Sequence, residues 1–454
     1  MKIILVGAGK IGSSVAAILA EEGHDITVID HDGDLVQSLS NELDAIFVEG
    51  SATDAEMLRE AGAGQADLLM AATEQDEVNM VCGISAHRLG TKHVIARVRD
   101  PQYLRQSDFL REALGLSVIV NPDYECAKEI SRILRFPGAA RVDAFSRGSA
   151  EIVEHRVETG GKLDGLTLKR LGQEIGAKVL VSVVERDGQA IIPNGDFALR
   201  GGDRMSVTGS SNELRRFFAK AGAFKRPVRN VMLVGGSRIA VYLAQMLLEG
   251  GVSVTIVERD RERCDQLCDL VPKAHIVCGD ATRSDVLMEE GLRTADAFVA
   301  LTGEDGDNVV TSLYARRFKV PRIVAKVNRE HFSDILEDSG LDSIVSPKEL
   351  IAQQLARYVR AMNNSVGSSM ETLYRMADGQ VEVMEFRIEE ASALVGVPLK
   401  DLKLRRNILI GAVIRGTHCF PPDGSTALQA GDHAVIVAMR GTVDSADSIL
   451  EGRA

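Results

Sequence analysis

The chain has no tryptophan, and aromatic residues make up 4% of its 454 positions. Proteins that bind single-stranded nucleic acid use aromatic faces as stacking platforms, so the scarcity argues against that class. Positive charge is also in short supply. Against 65 Asp and Glu stand 53 Lys and Arg, a formal charge of −12. A nucleic-acid binder needs a basic face, and direct anchoring to anionic lipid needs basic clusters, so no nucleic-acid partner is expected. No run approaches the roughly 18 uncharged apolar residues that cross a bilayer. The most apolar N-terminal stretch, Ile3 to Ala20, is interrupted by Lys10 and by Gly and Ser, and it lacks the basic start and cleavage pattern of a signal peptide. Of the six cysteines only Cys264 and Cys268 lie close, with no second pair to complete a zinc ribbon. A reducing cytoplasm is the expected compartment.

What is present is a 45% hydrophobic chain able to bury a large core, and it is a repeat. Gly7-Ala8-Gly9-Lys10-Ile11-Gly12 aligns with Gly235-Gly236-Ser237-Arg238-Ile239-Ala240 at an offset of 228, and Asp30 aligns with Glu258 at the same offset. Residues 66–80 and 295–309 share six identities in fifteen, where composition alone gives roughly one. Ala96-Arg97-Val98 matches Ala325-Lys326-Val327, Val120-Asn121-Pro122 matches Val345-Ser346-Pro347, and Gly202-Asp203 matches Gly431-Asp432. The domain count therefore rises from about three, expected from length, to four: 1–135 and 228–362 as one kind, 140–224 and 371–454 as another.

The first kind alternates strand and helix. Lys2–Val6 is a continuous apolar strand of the type buried on both faces of a parallel sheet. Lys10 to Glu22 follows with Ile11, Val15, Ile18 and Leu19 on one helical face. Later short strands end near Ile29, Val48, Ala72, Val98 and Val120. This pattern predicts α/β architecture with two Rossmann-like, doubly wound parallel sheets. Asn121-Pro122 and Ser346-Pro347-Lys348-Glu349 read as capped starts of a helix in each half. The second kind is a small α+β module. Its strands, such as Glu151 to Val157, Val179 to Glu185, Glu382 to Ile388 and Ala434 to Met439, alternate polar and apolar residues. Asp187-Gly188 marks a tight turn, Pro421-Pro422-Asp423-Gly424 a second one, Phe136-Pro137-Gly138 a break and Lys225-Arg226-Pro227 the junction of the halves.

Gly7-x-Gly9-x-x-Gly12 follows a strand and opens a helix, the context that turns a weak motif into a dinucleotide fingerprint. Gly7 permits the turn, Gly9 lets the backbone approach a pyrophosphate, and Gly12 allows close packing of helix on strand. The pyrophosphate would sit where helix N–H groups are unpaired. Asp30, eighteen residues after Gly12, accepts from ribose hydroxyls and repels a 2′-phosphate, which favours NAD(H) or ATP/ADP over NADP. Ligands bind at the carboxyl ends of the strands, so Ser51, Thr53 and Asp54 are candidates to flank the adenine. Thr73 and Glu74 would lie beside the phosphates, and Arg97 would supply positive charge. In the second half Ser237 replaces the middle glycine and Ala240 the last, while Glu258, Gly279, Asp280, Thr302 and Lys326 keep the remaining pattern.

These residues carry a resemblance. GAGKIG, Asp30, Val48 to Asp54, Ala72-Thr73 with Asn79, and Ala96-Arg97 resemble a KTN (RCK N-terminal) domain, and the small module with Gly202-Asp203 resembles an RCK C-terminal (TrkA-C) domain. Two tandem pairs are similar to the peripheral subunits of the bacterial Trk potassium uptake system, over essentially the whole chain. The resemblance implies binding of NAD(H) and of ATP/ADP by Gly7, Ala8, Gly9, Lys10, Ile11, Asp30, Thr73, Glu74 and Arg97. A second set would be Gly235, Gly236, Ser237, Arg238, Ile239, Glu258, Leu301, Thr302 and Lys326. It further implies a homo-oligomer, dimer or tetrameric ring, that gates a multi-spanning potassium transporter from the cytoplasmic face of the membrane. The alternative is an NAD-dependent oxidoreductase. None of His24, His31, His87 or His93 is placed by the pattern as an acid/base facing a nicotinamide, and no metal-ligand spacing stands out.

Overall fold

The computed structural model describes residues 1–136, 141–222, 228–328, 343–364, 370–377 and 379–451. The predicted break at Pro137-Gly138 and the junction Lys225-Arg226-Pro227 lie outside the described residues. The chain divides into two compact units. One joins Met1–Ser131 with Val228–Ala356, and the other joins Arg132–Pro227 with Arg357–Ala454. Like modules from the two halves are therefore brought together.

In the first unit, strands β1 (Lys2–Val6), β2 (Asp25–Asp30), β3 (Ile46–Glu49), β4 (Leu68–Ala71), β5 (His93–Arg97) and β6 (Val118–Val120) form one parallel sheet in the order β3-β2-β1-β4-β5-β6. The order reverses between β1 and β4, and that switch point is where such sheets open a crevice. Apolar runs such as Ile3-Ile4-Leu5-Val6 and Leu68 to Ala71 are buried throughout because helices cover both faces. In the small module of the first half come β7 (Arg141–Phe145), β8 (Ala150–Arg156), β9 (Val179–Arg186), β10 (Gln189–Ile191) and β11 (Arg204–Gly209). The second half repeats the parallel sheet with β12 (Asn230–Val234), β13 (Ser253–Glu258), β14 (His275–Cys278), β15 (Ala297–Ala300), β16 (Ile323–Lys326) and β17 (Ser343–Val345), in the order β14-β13-β12-β15-β16-β17.

Helix Pro122–Arg135 starts as predicted: Asn121 Oδ1 accepts from the Tyr124 N–H at 2.9 Å. Its N-terminus meets the second half. The rings of Tyr124 and Tyr242 cross edge to face at 5.5 Å, Asn121 Nδ2 donates to Tyr242 Oη at 3.4 Å, and Arg238 Nε lies 2.9 Å from Asp123.

In the other unit the small sheets are antiparallel. The order is β10-β9-β11-β8-β7 in the first, and β18-β19-β22-β20-β21 in the second. The second set is β18 (Met370–Met376), β19 (Val381–Arg387), β20 (Ile408–Arg415), β21 (His418–Phe420) and β22 (His433–Met439). At the predicted tight turn Asp187 and Gly188 both take positive φ, 52° and 74°, and join β9 to β10 as a hairpin.

Strands of the small modules alternate polar and apolar residues in sequence, and β11 and β22 are buried along nearly their whole length. One face of each sheet packs on its own module. The other joins a shared core in which Phe145, Ile152 and Val183 meet Tyr374, Val383, Ile414 and Val437. The polar residues are buried because they satisfy one another: Ser182 Oγ lies 2.9 Å from Thr208 Oγ1 and donates to the Ser206 carbonyl.

Candidate functional site

The first candidate site lies at the carboxyl ends of β1 and β4, the switch point of the first sheet. Gly7 has φ +96°, and a Cβ there would stand 3.0 Å from the Thr73 backbone nitrogen, so the turn and β4 touch. A Cβ on Gly12 would come within 1.8 Å of the Gly7 carbonyl oxygen, so this glycine lets helix Lys10–Glu21 pack on the turn. Gly9 differs. Its φ of −62° suits any residue, and a Cβ would meet nothing within 4 Å. The protein itself does not require glycine at that position, so the empty space in front of its backbone fits an approaching ligand.

Asp30, 9% exposed at the end of β2, accepts from the Ala8 N–H at 2.5 Å and from the Asp32 N–H at 3.0 Å, and His31 Nδ1 lies 3.1 Å away. The carboxylate is thus held against the glycine turn. Thr73 is fixed by Asn79, whose Oδ1 accepts from the Thr73 N–H and hydroxyl at 2.8 and 2.7 Å and whose Nδ2 donates to the carbonyls of Thr73 and Arg97. Asn79 sews the ends of β4 and β5 together. It matched between the halves in sequence, but nothing in the pattern announced that job. Arg97 donates to the carbonyls of Ala72 and Thr73 at 3.2 Å, and its buried Nε has no hydrogen-bond partner among the described residues. Burial first, then neighbouring Arg99, lowers its pKa.

The other proposed contacts are more peripheral. Lys10 is exposed and Ile11 half-buried at the helix start. Ser51 and Thr53 are exposed and bond each other at 2.8 Å. Asp54 is occupied as N-cap of helix Ala55–Glu60, accepting from the Glu56 N–H. Glu74 offers its carbonyl to Arg99 Nη2 at 2.6 Å.

The second cleft has a volume of about 430 Å³. Gly235, Gly236, Ser237, Glu258, Gly279, Asp280, Leu301 and Thr302 all line it. Gly235 repeats the turn with φ +93°. Glu258 accepts from the Gly236 N–H at 2.6 Å, as Asp30 does from Ala8. Asn308 repeats the Asn79 arrangement on Thr302 and on the Lys326 carbonyl. Ser237 departs as its side chain predicts: Oγ caps helix Arg238–Glu249 by accepting from the Ala240 N–H at 3.4 Å. It thereby occupies an N–H that a bare glycine would leave to a ligand.

Three residues proposed for this site do not line it. Arg238 turns to Asp123, Ile239 is 4% exposed in the core, and the burial of Lys326 lowers its pKa. Arg259, Asp260, Arg263 and Asp307 do line the cleft. Arg263 donates from Nε to the Gly236 carbonyl at 2.7 Å. Arg263 and Asp307 lie in the helices Arg261–Leu270 and Asp305–Arg317, no motif marks any of the four, and the cluster of arginines from 259 to 263 was the one available signal.

A doubled parallel sheet with a glycine turn at its switch point, each copy followed by a small antiparallel module, defines a duplicated Rossmann-type architecture. The TrkA-N domain family matches residues 3–122 and 231–347, and the TrkA-C domain family matches residues 152–222 and 383–451. The chain belongs to the TrkA family. It is 32% identical to the "Trk system potassium uptake protein TrkA homolog" of Archaeoglobus fulgidus over 450 residues, 99% of this chain and 100% of the relative. It is 30% identical to the "Trk system potassium uptake protein TrkA" of Vibrio alginolyticus, over 96% of this chain and 95% of the relative. Among solved structures, the GsuK channel bound to NAD superposes with a TM-score of 0.64 at 20% identity, over 97% of this chain and 77% of that one, which shows a shared fold. GsuK bound to ADP gives 0.51 at 18% identity, over 79% and 69%.

Proposed function

We propose that this protein is the nucleotide-operated regulatory subunit of a potassium uptake system. Its two candidate sites bind NAD(H) and ATP/ADP, and nucleotide exchange gates a multi-spanning membrane potassium transporter from the cytoplasmic side. The observation that carries the proposal is the cradle built twice: a glycine turn at the switch point with an acidic strand end locked onto its amide, Asp30 on Ala8 and Glu258 on Gly236. A ribose hydroxyl competing for that carboxylate couples ligand binding to the position of the turn. The names of the relatives support the potassium uptake system, and the NAD and ADP complexes of a protein sharing the fold support the ligands.

A homo-oligomer, dimer or tetrameric ring, would transmit the change. A nucleotide shifts the assembly only through its different affinities for the two states. No helix among the described residues is long and apolar enough to cross a membrane, so attachment would run through the transporter. The relatives the chain matches are named as potassium uptake proteins, which favours regulation over hydride transfer.

Calorimetry on the full chain with NADH and with ATP tests the binding step, and co-purification from membranes tests the partner. Saturable binding, together with recovery of a multi-spanning potassium transporter, is expected. Steady NADH oxidation with 2-oxo acids would replace regulation by catalysis.

A further inference from the structure

In the unit built from the small modules, far in sequence from either glycine turn, three ligating side chains converge. His433 Nδ1 lies 3.0 Å from Glu371 Oε2 and 3.1 Å from Glu385 Oε1. One ligand atom from each of the three residues lies within 4.8 Å of the other two. The residues are 14 and 48 positions apart in sequence, so no spacing motif could have revealed them. The sheet brings them together. β18, β19 and β22 are consecutive neighbours, and β19 pairs with β22 in a register that opposes Glu385 to Val435, which sets Glu385 diagonally across from His433. Between Met370 and Thr372 the β18–β19 register shifts at a bulge, the device that re-aims a side chain, and Glu371 is the residue in the bulge.

Burial and charge then ask for a cation. Glu385 is 1% exposed, while the side chains of His433 and Glu371 are 28% and 42% exposed, so the group is closed on one side and open on the other. Two carboxylates share a single imidazole nitrogen, and buried negative charge needs a positive partner. The sister module places Arg204 after Gly202-Asp203, where the second module places His433 after Gly431-Asp432, and Arg204 pairs instead with Glu185 at 3.8 Å. The arginine is a permanent cation. The imidazole instead offers a lone pair.

We propose that Glu371, Glu385 and His433 bind a divalent transition-metal ion of the zinc type. One nitrogen and two carboxylate oxygens suit zinc, whereas calcium and magnesium take all-oxygen shells of higher coordination number. The separations of 3.0 and 3.1 Å approach the edge of a tetrahedron with bonds of about 2.0 Å. Outer partners already hold the buried ligand. Glu385 accepts from the Ser146 N–H at 3.1 Å, from the Thr372 hydroxyl at 3.2 Å and from the Ser146 hydroxyl. Ser146 belongs to the first small module, so an ion here ties the two modules together.

The test uses the untagged full chain, stripped with EDTA and titrated with Co²⁺ as a visible-absorbing zinc analogue. Wild type is expected to take up an ion that Zn²⁺ displaces, and Zn²⁺ is expected to raise its melting temperature. Glu371→Gln changes an exposed side chain and preserves the fold. It should weaken Co²⁺ binding at least tenfold, and His433→Gln should abolish it, with circular dichroism of both variants unchanged. Co²⁺ uptake and spectra identical in wild type, Glu371→Gln and His433→Gln would overturn the proposal, as would no Co²⁺ binding to wild type.

Discussion

At the scale of single residues, three glycines of one motif perform separable jobs. Gly12→Ala would put a methyl 1.8 Å from the Gly7 carbonyl oxygen, an overpacking expected to cost about 3 kcal/mol in denaturant melts. Gly9→Val should leave the melting curve unchanged, since its Cβ has open space, and should abolish NADH binding at the first site in calorimetry. Undiminished binding by a folded Gly9→Val protein would place the ligand elsewhere. Asp30→Ala removes a charged acceptor worth about 2 kcal/mol, roughly 30-fold in Kd.

Asp203 offers a test by pH. Burial alone would raise its pKa, but the paired bonds from Arg186 at 2.8 and 2.7 Å and the Arg200 N–H outweigh that and lower it. A carboxylate depressed in the folded state adds stability that is fully present above its unfolded pKa of about 3.9 and is lost as pH falls through the folded value. Wild type should therefore lose stability in acid more steeply than Asp203→Asn. The variant should be about 3 kcal/mol less stable at pH 7, because Arg186 is left without its buried partner.

At the scale of elements, strand and helix periodicity made the parallel sheets legible. β1 ran over the predicted residues, and the later strands of the first sheet ended within one residue of expectation. The helix starts at Asn121 and Ser346 were legible because capping is local chemistry: Ser346 Oγ accepts from the Glu349 N–H at 3.5 Å. What a helix end touches was not legible. The edge-to-face pair Tyr124–Tyr242 joins residues 118 positions apart. A double-mutant cycle with Tyr124→Ala and Tyr242→Ala should return a coupling of about 1 kcal/mol, and additive losses would show that the rings do not support each other.

At the scale of the whole molecule, the gene repeat reads as two copies in line, but the structure sorts its modules by kind. A polar residue of an alternating strand looks the same in sequence whether it meets water or a partner, as Thr208 meets Ser182. A chain ending at residue 222 would expose Phe145, Ile152 and Val183, which the second small module covers in the full chain. It should self-associate in sedimentation experiments, and a clean monomer would contradict the shared core.

Local rules acting over a few residues were enough to determine the repeat, the Rossmann sheets, the glycine turns and the acidic anchors from sequence alone. Apolar period, turn conformation and capping depend on near neighbours. Only the tertiary structure decided that like modules pair, that Ser237 is spent as a cap, that arginines at 259 and 263 line the second cleft, and that Glu371, Glu385 and His433 meet. Those outcomes rest on contacts between residues tens to hundreds of positions apart, set by strand register and by the burial of whole faces, which no local pattern encodes.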